Sequence, residues 1–454
     1  MKAALPARRL AWQVLEGVAR GERVEQALQR AFQDPEPDPR ERALTGELVY
    51  GVCRWQNLLD HYLTRFSKKP LARLSPEVLI LLRIGAYQIL KLDRIPDRAA
   101  VHATVETASR NLPRWKAGFV NAVLRALVRE KDKVALPDPE RDPAGYLAAA
   151  QSHPRWLVER WIGEYGPEKA GALLEADNRR TGMCVRVNPL AAARREIIRR
   201  LEEAGLAAGP GRYGPQAVLV PQGSAAVLEK LLGSEGPALF NIQSEAAQAV
   251  APLVDPKPGM RILDLCAGVG GKTLHLAELS RDRGRITALE ISGPRVAAGK
   301  RAVRRSGLTS IRFVQGDALR TDPGSLGGEP FEAVLLDAPC TGSGVLASRP
   351  DIRWKLEPEG IARMSGIQDR LLEAGAALVA PGGILVYATC SLFPEENRER
   401  VASFLSRHPE FALENPATLL PESLRPLVNR DGFLDIDPGV HGLDGFFGAR
   451  MIRS

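Results

Sequence analysis

The chain is 454 residues long with a mass of 49.4 kDa, room for several domains at ~150 residues each. Hydrophobic residues make up 44% and charged residues 26%, an ordinary globular balance that excludes wholesale disorder. The net charge is +8, and the five cysteines include no Cys-x-x-Cys pair, so neither a disulfide framework nor a zinc or other metal site is expected.

The first residues carry charges at Arg8, Arg9 and Glu16 with no long apolar stretch, so no signal peptide is predicted. Residues 5–130 read as helices: Leu10, Val14, Leu15 and Val18 recur at helical spacing, as do Leu79, Leu82, Ile89 and Leu90. The most apolar short run, Val78 to Leu82, is too short to span a bilayer and meets Arg83 at once. A soluble, cytoplasmic protein with free thiols is expected. Residues 1–140 hold 24 Lys and Arg against 17 Asp and Glu, whereas the remainder holds 38 against 37. The basic excess therefore sits in the first third, as in a nucleic-acid-facing module; a solvated, Arg-rich helical surface is the alternative.

Asp34-Pro-Glu-Pro-Asp-Pro39 is a loop that must interrupt a helix, and Leu136-Pro-Asp-Pro139 closes the helical region as a domain boundary. Met183–Val187 and Ala217–Val220 read as short strands around a helix from Ala191 to Leu201, a small α/β unit over roughly 150–240. From Gly259 onward strands alternate with helices: Arg261–Leu265, Arg285–Glu290, Ile311–Gln315, Ala333–Asp337 and Gly383–Ala388. That alternation predicts a doubly wound parallel sheet, whose ligands lie beyond the carboxyl ends of the strands.

Those ends carry the chemistry. Asp264-Leu-Cys-Ala-Gly-Val-Gly-Gly-Lys-Thr273 is a Gly-rich turn from strand to helix, which exposes backbone N–H groups to a ligand. A Walker A loop fails because Cys266 stands where glycine is needed, and a dinucleotide fingerprint fails at Thr273. Glu290 ends the second strand at the distance where an acid accepts ribose hydroxyls. Asp317 and Asp337 follow at the ends of the next two. Three acids and a glycine loop suit a nucleoside cofactor without a pyrophosphate, adenosylmethionine foremost. Cys340 follows Pro339 after the fourth of these strands, and Cys390 follows the fifth. A zinc deaminase is excluded, because Ser343 stands where its second cysteine would be.

Together these motifs resemble the RNA (cytosine-C5)-methyltransferase family. The glycine loop, Asp337-Ala-Pro-Cys340, Ala388-Thr-Cys-Ser391, Phe240-Asn-Ile-Gln-Ser-Glu245, Ser348-Arg-Pro-Asp-Ile-Arg-Trp354 and His441-Gly-Leu-Asp-Gly-Phe-Phe447 all match. Residues 1–135 are similar to the NusB fold through Leu82-Arg-Ile-Gly-Ala-Tyr-Gln-Ile89, Arg94-Ile-Pro96 and Phe119-Val-Asn-Ala-Val-Leu124. This fusion is typical of the subfamily that acts on 16S rRNA. The resemblance implies an all-α NusB-like RNA-binding domain (1–140), linker helices with a small α/β, RRM-like unit (141–240) and a Rossmann-like, class I methyltransferase domain (241–454).

The resemblance also implies roles. S-Adenosylmethionine is the expected cofactor, with Cys266, Ala267, Gly268, Val269, Gly270, Gly271 and Lys272 at its methionine end, Glu290 on the ribose and Asp317 on the adenine amine. Gly268-Val269 departs from the family's usual Ala-Pro. Cys390 is the expected nucleophile at C6 of cytosine, Cys340 assists loss of the C5 proton, and Asp337 holds the base. Arg349, Arg353 and Trp354 are candidate RNA contacts, as are Arg8, Arg9 and Arg83. The expected partner is 16S rRNA, with tRNA or 23S rRNA as alternative substrates and a non-catalytic RNA-binding factor as the rival class. A monomer without metal or membrane is expected.

Overall fold

The computed structural model describes residues 6–33, 37–221, 223, 225–233 and 236–454; Asp34, Pro35 and Glu36 of the Pro-rich loop lie outside them. The chain falls into two compact units. One is Met1–Arg179 with Arg349–Lys355, the other Arg180–Ser348 with Leu356–Ser454.

The first unit is helical. Its main helices are Ala7–Ala19, Val24–Ala31, Pro39–Phe66, Pro76–Lys91, Asp97–Asn111 and Arg114–Glu130, then Pro143–Ala150, Arg155–Tyr165 and Pro167–Ala176. Several begin on proline, whose fixed φ suits the first turn and whose missing N–H costs nothing there. Asp38 caps the long helix by accepting from the N–H groups of Arg40 (2.8 Å) and Glu41 (3.0 Å). The core joins Leu48, Leu59, Leu81, Leu82, Val120 and Leu124. Gly51 lets two helices close up, because a Cβ there would lie 2.0 Å from the Tyr87 ring.

The breaker at Leu136–Pro139 ends a helix but not this unit. The helices of 143–176 pack in this unit too. Asn57 is the fastener: its Nδ2 donates to the carbonyls of Ala148 (2.8 Å) and His153 (3.1 Å), and its N–H donates to Ser152 Oγ (2.9 Å).

Among its described residues the second unit carries twelve strands. β1 (Met183–Val187), β2 (Gly209–Pro210), β3 (Ala217–Val220) and β4 (Phe240–Ile242) form an antiparallel sheet in the order β2-β3-β1-β4. Val185, Val187, Ile197, Leu201, Val218 and Leu228 make its core. β5 (Arg261–Asp264), β6 (Arg285–Glu290), β7 (Ile311–Gln315), β8 (Phe331–Asp337), β9 (Val379–Thr389), β10 (Phe411–Glu414), β11 (Leu434–Ile436) and β12 (Phe446–Arg453) form the large sheet. Its order is β10-β12-β9-β8-β5-β6-β7, with β11 on β12. β5 to β9 run parallel, as the alternation predicts. β12 enters antiparallel beside β9, so the sheet is mixed. The chain steps from β5 out to β7 and returns on the other side at β8. That reversal opens a crevice beyond the carboxyl ends of β5 and β8, which is where such sheets bind ligands.

Candidate active site

The glycine turn sits at the end of β5. Gly268 (φ +59°) and Gly270 (φ +90°) both occupy the left-handed region, which a residue with a Cβ resists. The Ala267 N–H donates to Leu289 O (2.9 Å) and ties the turn to β6. A Cβ on Gly268 would meet nothing within 4 Å, so that side of the turn is open to a ligand. Val269 and Ile291 stand exposed on the neighbouring loops, an apolar pair beside the crevice.

Glu290 ends β6 almost fully buried, its carboxylate aimed by two backbone N–H groups: Gly268 onto Oε2 (2.9 Å) and Ser292 onto Oε1 (2.8 Å). Each oxygen keeps a lone pair for another donor. Asp317, after β7, is half-buried and accepts from the Leu319 N–H (3.0 Å). Asp337, ending β8, pairs with Lys272 (Nζ to Oδ2, 2.6 Å), and the same ammonium lies 5.2 Å from the centre of the Phe446 ring. Lys272 thus reaches across the crevice floor rather than folding back on its own turn.

Two further groups under the turn escape the sequence pattern. Asp264 is fully buried; Thr273 Oγ1 donates to one oxygen (2.6 Å) and the other has no hydrogen-bond partner. Burial pushes its carboxyl up to about 7. Burial likewise pushes the Cys266 thiol up, with Asp264 and Asp337 adding to the effect, so it lines the turn as a neutral group. Below lies Arg186 of β1, fully buried, paired with Glu278 (2.9 Å through both Nε and Nη2) and donating to Gly271 O (2.9 Å). The small sheet thereby grips the first turn of the helix Gly271–Leu279.

Cys340 and Cys390 meet. They lie on loops after adjacent strands, both half-buried, with their sulfurs 3.2 Å apart. The Cys390 sulfur, burial and the charge of Glu396 hold the Cys340 thiol well above the ordinary cysteine range. Cys340 therefore stays protonated beside its neighbour, and either sulfur can donate across the contact. The structure thus gathers the glycine turn, Glu290, Asp317, Asp337, Lys272, Cys340 and Cys390 at one end of the sheet.

It does not bring Arg353 and Trp354 there. Residues 349–355 belong to the helical unit. Arg353 is fully buried, its Nη1 donating to Arg54 O (2.9 Å), Ser152 O (2.8 Å) and Asn178 Oδ1 (3.0 Å), and its Nη2 to Asp177 O (3.1 Å). Trp354 Nε1 donates to Cys53 O (2.6 Å). A guanidinium so enclosed cannot touch a phosphate, which corrects the RNA contact expected of Arg353; the Trp354 indole N–H is likewise spent inside the unit. Arg349 is exposed. Arg83 is held bidentately by Asp60 (2.8 and 2.7 Å) and Arg8 donates to Gln88 Oε1 (3.0 Å), so both are engaged within the helical unit. Among the described residues, no three His, Cys, Asp or Glu side chains are grouped to hold a metal, and no helix is long and apolar enough to cross a membrane.

A seven-stranded path with this reversal, an acid at successive strand ends and a glycine turn leading into a helix defines a methyltransferase of the Rossmann-like class. The comparisons narrow it further. Residues 251–452 match the 16S rRNA methyltransferase RsmB/F family, residues 5–129 the NusB family and residues 153–226 the RsmF/B-like ferredoxin-like domain. The chain is 37% identical over 425 residues to the probable ribosomal RNA small subunit methyltransferase B of Bacillus subtilis (strain 168), covering 93% of each. It is 34% identical over 420 residues to the ribosomal RNA small subunit methyltransferase B of Pseudomonas putida, covering 92% of this chain and 91% of that one. The crystal structure of PH0851 superposes with a TM-score of 0.79 at 29% identity, over 99% of this chain and 100% of that one. The chain belongs to the 16S rRNA methyltransferase RsmB/F family.

Proposed function

We propose that the protein methylates C5 of a cytosine in 16S rRNA through a covalent adduct between Cys390 and C6. One observation carries the reading: two thiols 3.2 Å apart at the same end of the sheet as Asp337 and Lys272, one of them held as S–H. C5 of cytosine is a weak nucleophile. Addition of a thiolate at C6 makes C5 enamine-like and splits one hard step into two.

The glycine turn from Cys266 to Lys272, Glu290 and Asp317 suit S-adenosylmethionine: open backbone, a pre-aimed carboxylate for ribose hydroxyls and an apolar rim at Val269 and Ile291. Bound there, that cofactor supplies an electrophilic methyl group. Cys390 forms the Sγ–C6 bond. Asp337 protonates the base near N3 and O2, the proton coming by way of the Lys272 ammonium paired with it, and so offsets the charge of the adduct. Once C5 is methylated, Cys340 assists transfer of the C5 proton to water, the C–H electrons re-form the C5=C6 bond, the Sγ–C6 bond breaks and Cys390 leaves as the thiolate beside the Cys340 S–H. The base must be unpaired or splayed out for C5 to be reached.

Denaturing gels test the assignment. Cys340→Ala should leave RNA attached to the protein when adenosylmethionine is present, and Cys390→Ala should leave none. An adduct with Cys390→Ala alone would reverse the two roles. Mapping 5-methylcytosine after incubation with 16S rRNA, 23S rRNA and tRNA separately tests the substrate. Unchanged adenosylmethionine affinity in Glu290→Ala, measured by calorimetry, would remove the ribose role.

A further inference from the structure

Each of the two cysteines is bracketed by a buried polar network centred on residues that no sequence pattern singles out. Glu396 is fully buried, and all its side-chain donors are neutral. Its Oε1 accepts from the Thr341 N–H (2.9 Å) and Gln368 Nε2 (2.9 Å); its Oε2 accepts from the hydroxyls of Thr341 and Ser391. Thr341 follows Cys340, and Ser391 follows Cys390. One carboxylate therefore grips the residue next to each thiol.

The flanks on the other side are fixed as well. Gln368 Nε2 also donates to Pro339 O (2.9 Å), the residue before Cys340. Asn397 accepts from Thr389 Oγ1 (2.5 Å), before Cys390, and donates to Ser391 O (2.8 Å), after it. The Tyr387 hydroxyl donates to the Glu396 carbonyl from β9 (2.5 Å), anchoring the clamp to the sheet. The four donors to that carboxylate are all neutral: one backbone N–H, one amide and two hydroxyls.

We propose that Glu396 is a positioning residue that locks the Cys340 and Cys390 loops in one register, so that Cys390 attacks C6 while Cys340 stays placed to assist loss of the C5 proton. The proposal rests on the two-thiol reading above. The groups facing Cys340 are Cys390, Glu396 and Tyr387. Of these, Glu396 contributes the carboxylate charge that helps keep Cys340 protonated.

Glu396→Gln removes the charge at nearly constant shape. Alkylation with iodoacetamide over about pH 6 to 10, resolved by peptide mass, reads each thiol separately and needs no RNA. In the variant Cys340 should react at lower pH than in the parent, about tenfold faster on the rising limb. Superimposable Cys340 profiles, with the variant folded by circular dichroism, overturn the proposal. Should Glu396→Gln not fold, Thr341→Val removes one hydroxyl donor but keeps the backbone N–H. There kcat should fall about tenfold with KM for RNA unchanged, since loss of register costs rate rather than binding. An unchanged kcat overturns the proposal. A shifted Cys340 profile with no RNA adduct in any cysteine variant supports the positioning role and removes only the covalent reading.

Discussion

Asp264 makes stability depend on pH in a way one substitution can isolate. Its carboxyl is fully buried under the glycine turn, and burial raises its pKa from 3.8 to about 7. The folded state therefore holds a proton there between those values that the unfolded chain has released. The stability linked to this proton is fully present below about pH 4 and is lost as pH rises through about 7. A gap of about 3 units corresponds to about 4 kcal/mol. Asp264→Asn keeps the size and leaves an oxygen to accept from Thr273, but it cannot ionise. Urea unfolding at about pH 5 and pH 8 should show the parent losing more stability than the variant, by up to about 3 kcal/mol, since about two pH units of the titration fall between those points. Parallel losses in both proteins would refute the reasoning, because they would mean that the buried carboxyl does not titrate in this range.

Other outcomes follow from the same geometry. Arg353→Met leaves the carbonyls of Arg54, Ser152 and Asp177 without their donor and should destabilise the helical unit by about 3–5 kcal/mol in urea unfolding. The salt dependence of its RNA binding should stay unchanged, since a buried guanidinium releases no counterions. Diamide, accepting two hydrogens, should convert Cys340 and Cys390 to a disulfide that abolishes methyl transfer and that dithiothreitol reverses; peptide mapping identifies the pair. Gly268→Ala puts a Cβ into open space at φ +59°, so it should cost about 1 kcal/mol of backbone strain and less than about tenfold in adenosylmethionine affinity by calorimetry.

The strands β5, β6, β8 and β9 are legible because parallel strands buried on both faces read as short apolar runs, such as Ile262-Leu263 and Ala333-Val-Leu-Leu336. The acids and cysteines are legible because each sits where such a run stops. β12 is not: in Phe446-Phe-Gly-Ala-Arg-Met-Ile-Arg453 a glycine and a buried arginine break the apolar run. Arg450 belongs there only because its guanidinium reaches the carbonyls of Leu253 (2.6 Å) and Val254 (3.1 Å) nearly 200 positions away. Glu396 is hidden for the same reason. Pro394-Glu-Glu-Asn397 reads as an exposed acidic turn, and only the long-range donors Thr341 and Gln368 make burial of one of its two glutamates tolerable. Arg353 and Trp354 follow the Pro-Cys loop in sequence and so look like RNA contacts; their carbonyl partners lie as far back as Cys53 and Arg54.

That seven-residue segment also sets a schedule for biosynthesis. The helical unit is emitted nearly whole by Arg179, yet Arg349–Lys355 leave the ribosome about 170 residues later. At about 5–20 residues per second, the nascent helical unit waits about 10–30 s with the carbonyls of Arg54, Ser152 and Asp177 lacking the guanidinium that caps them. Vectorial synthesis therefore cannot finish the first module before starting the second. Its final stability arrives only when half of the large sheet, β5 to β8, has already emerged.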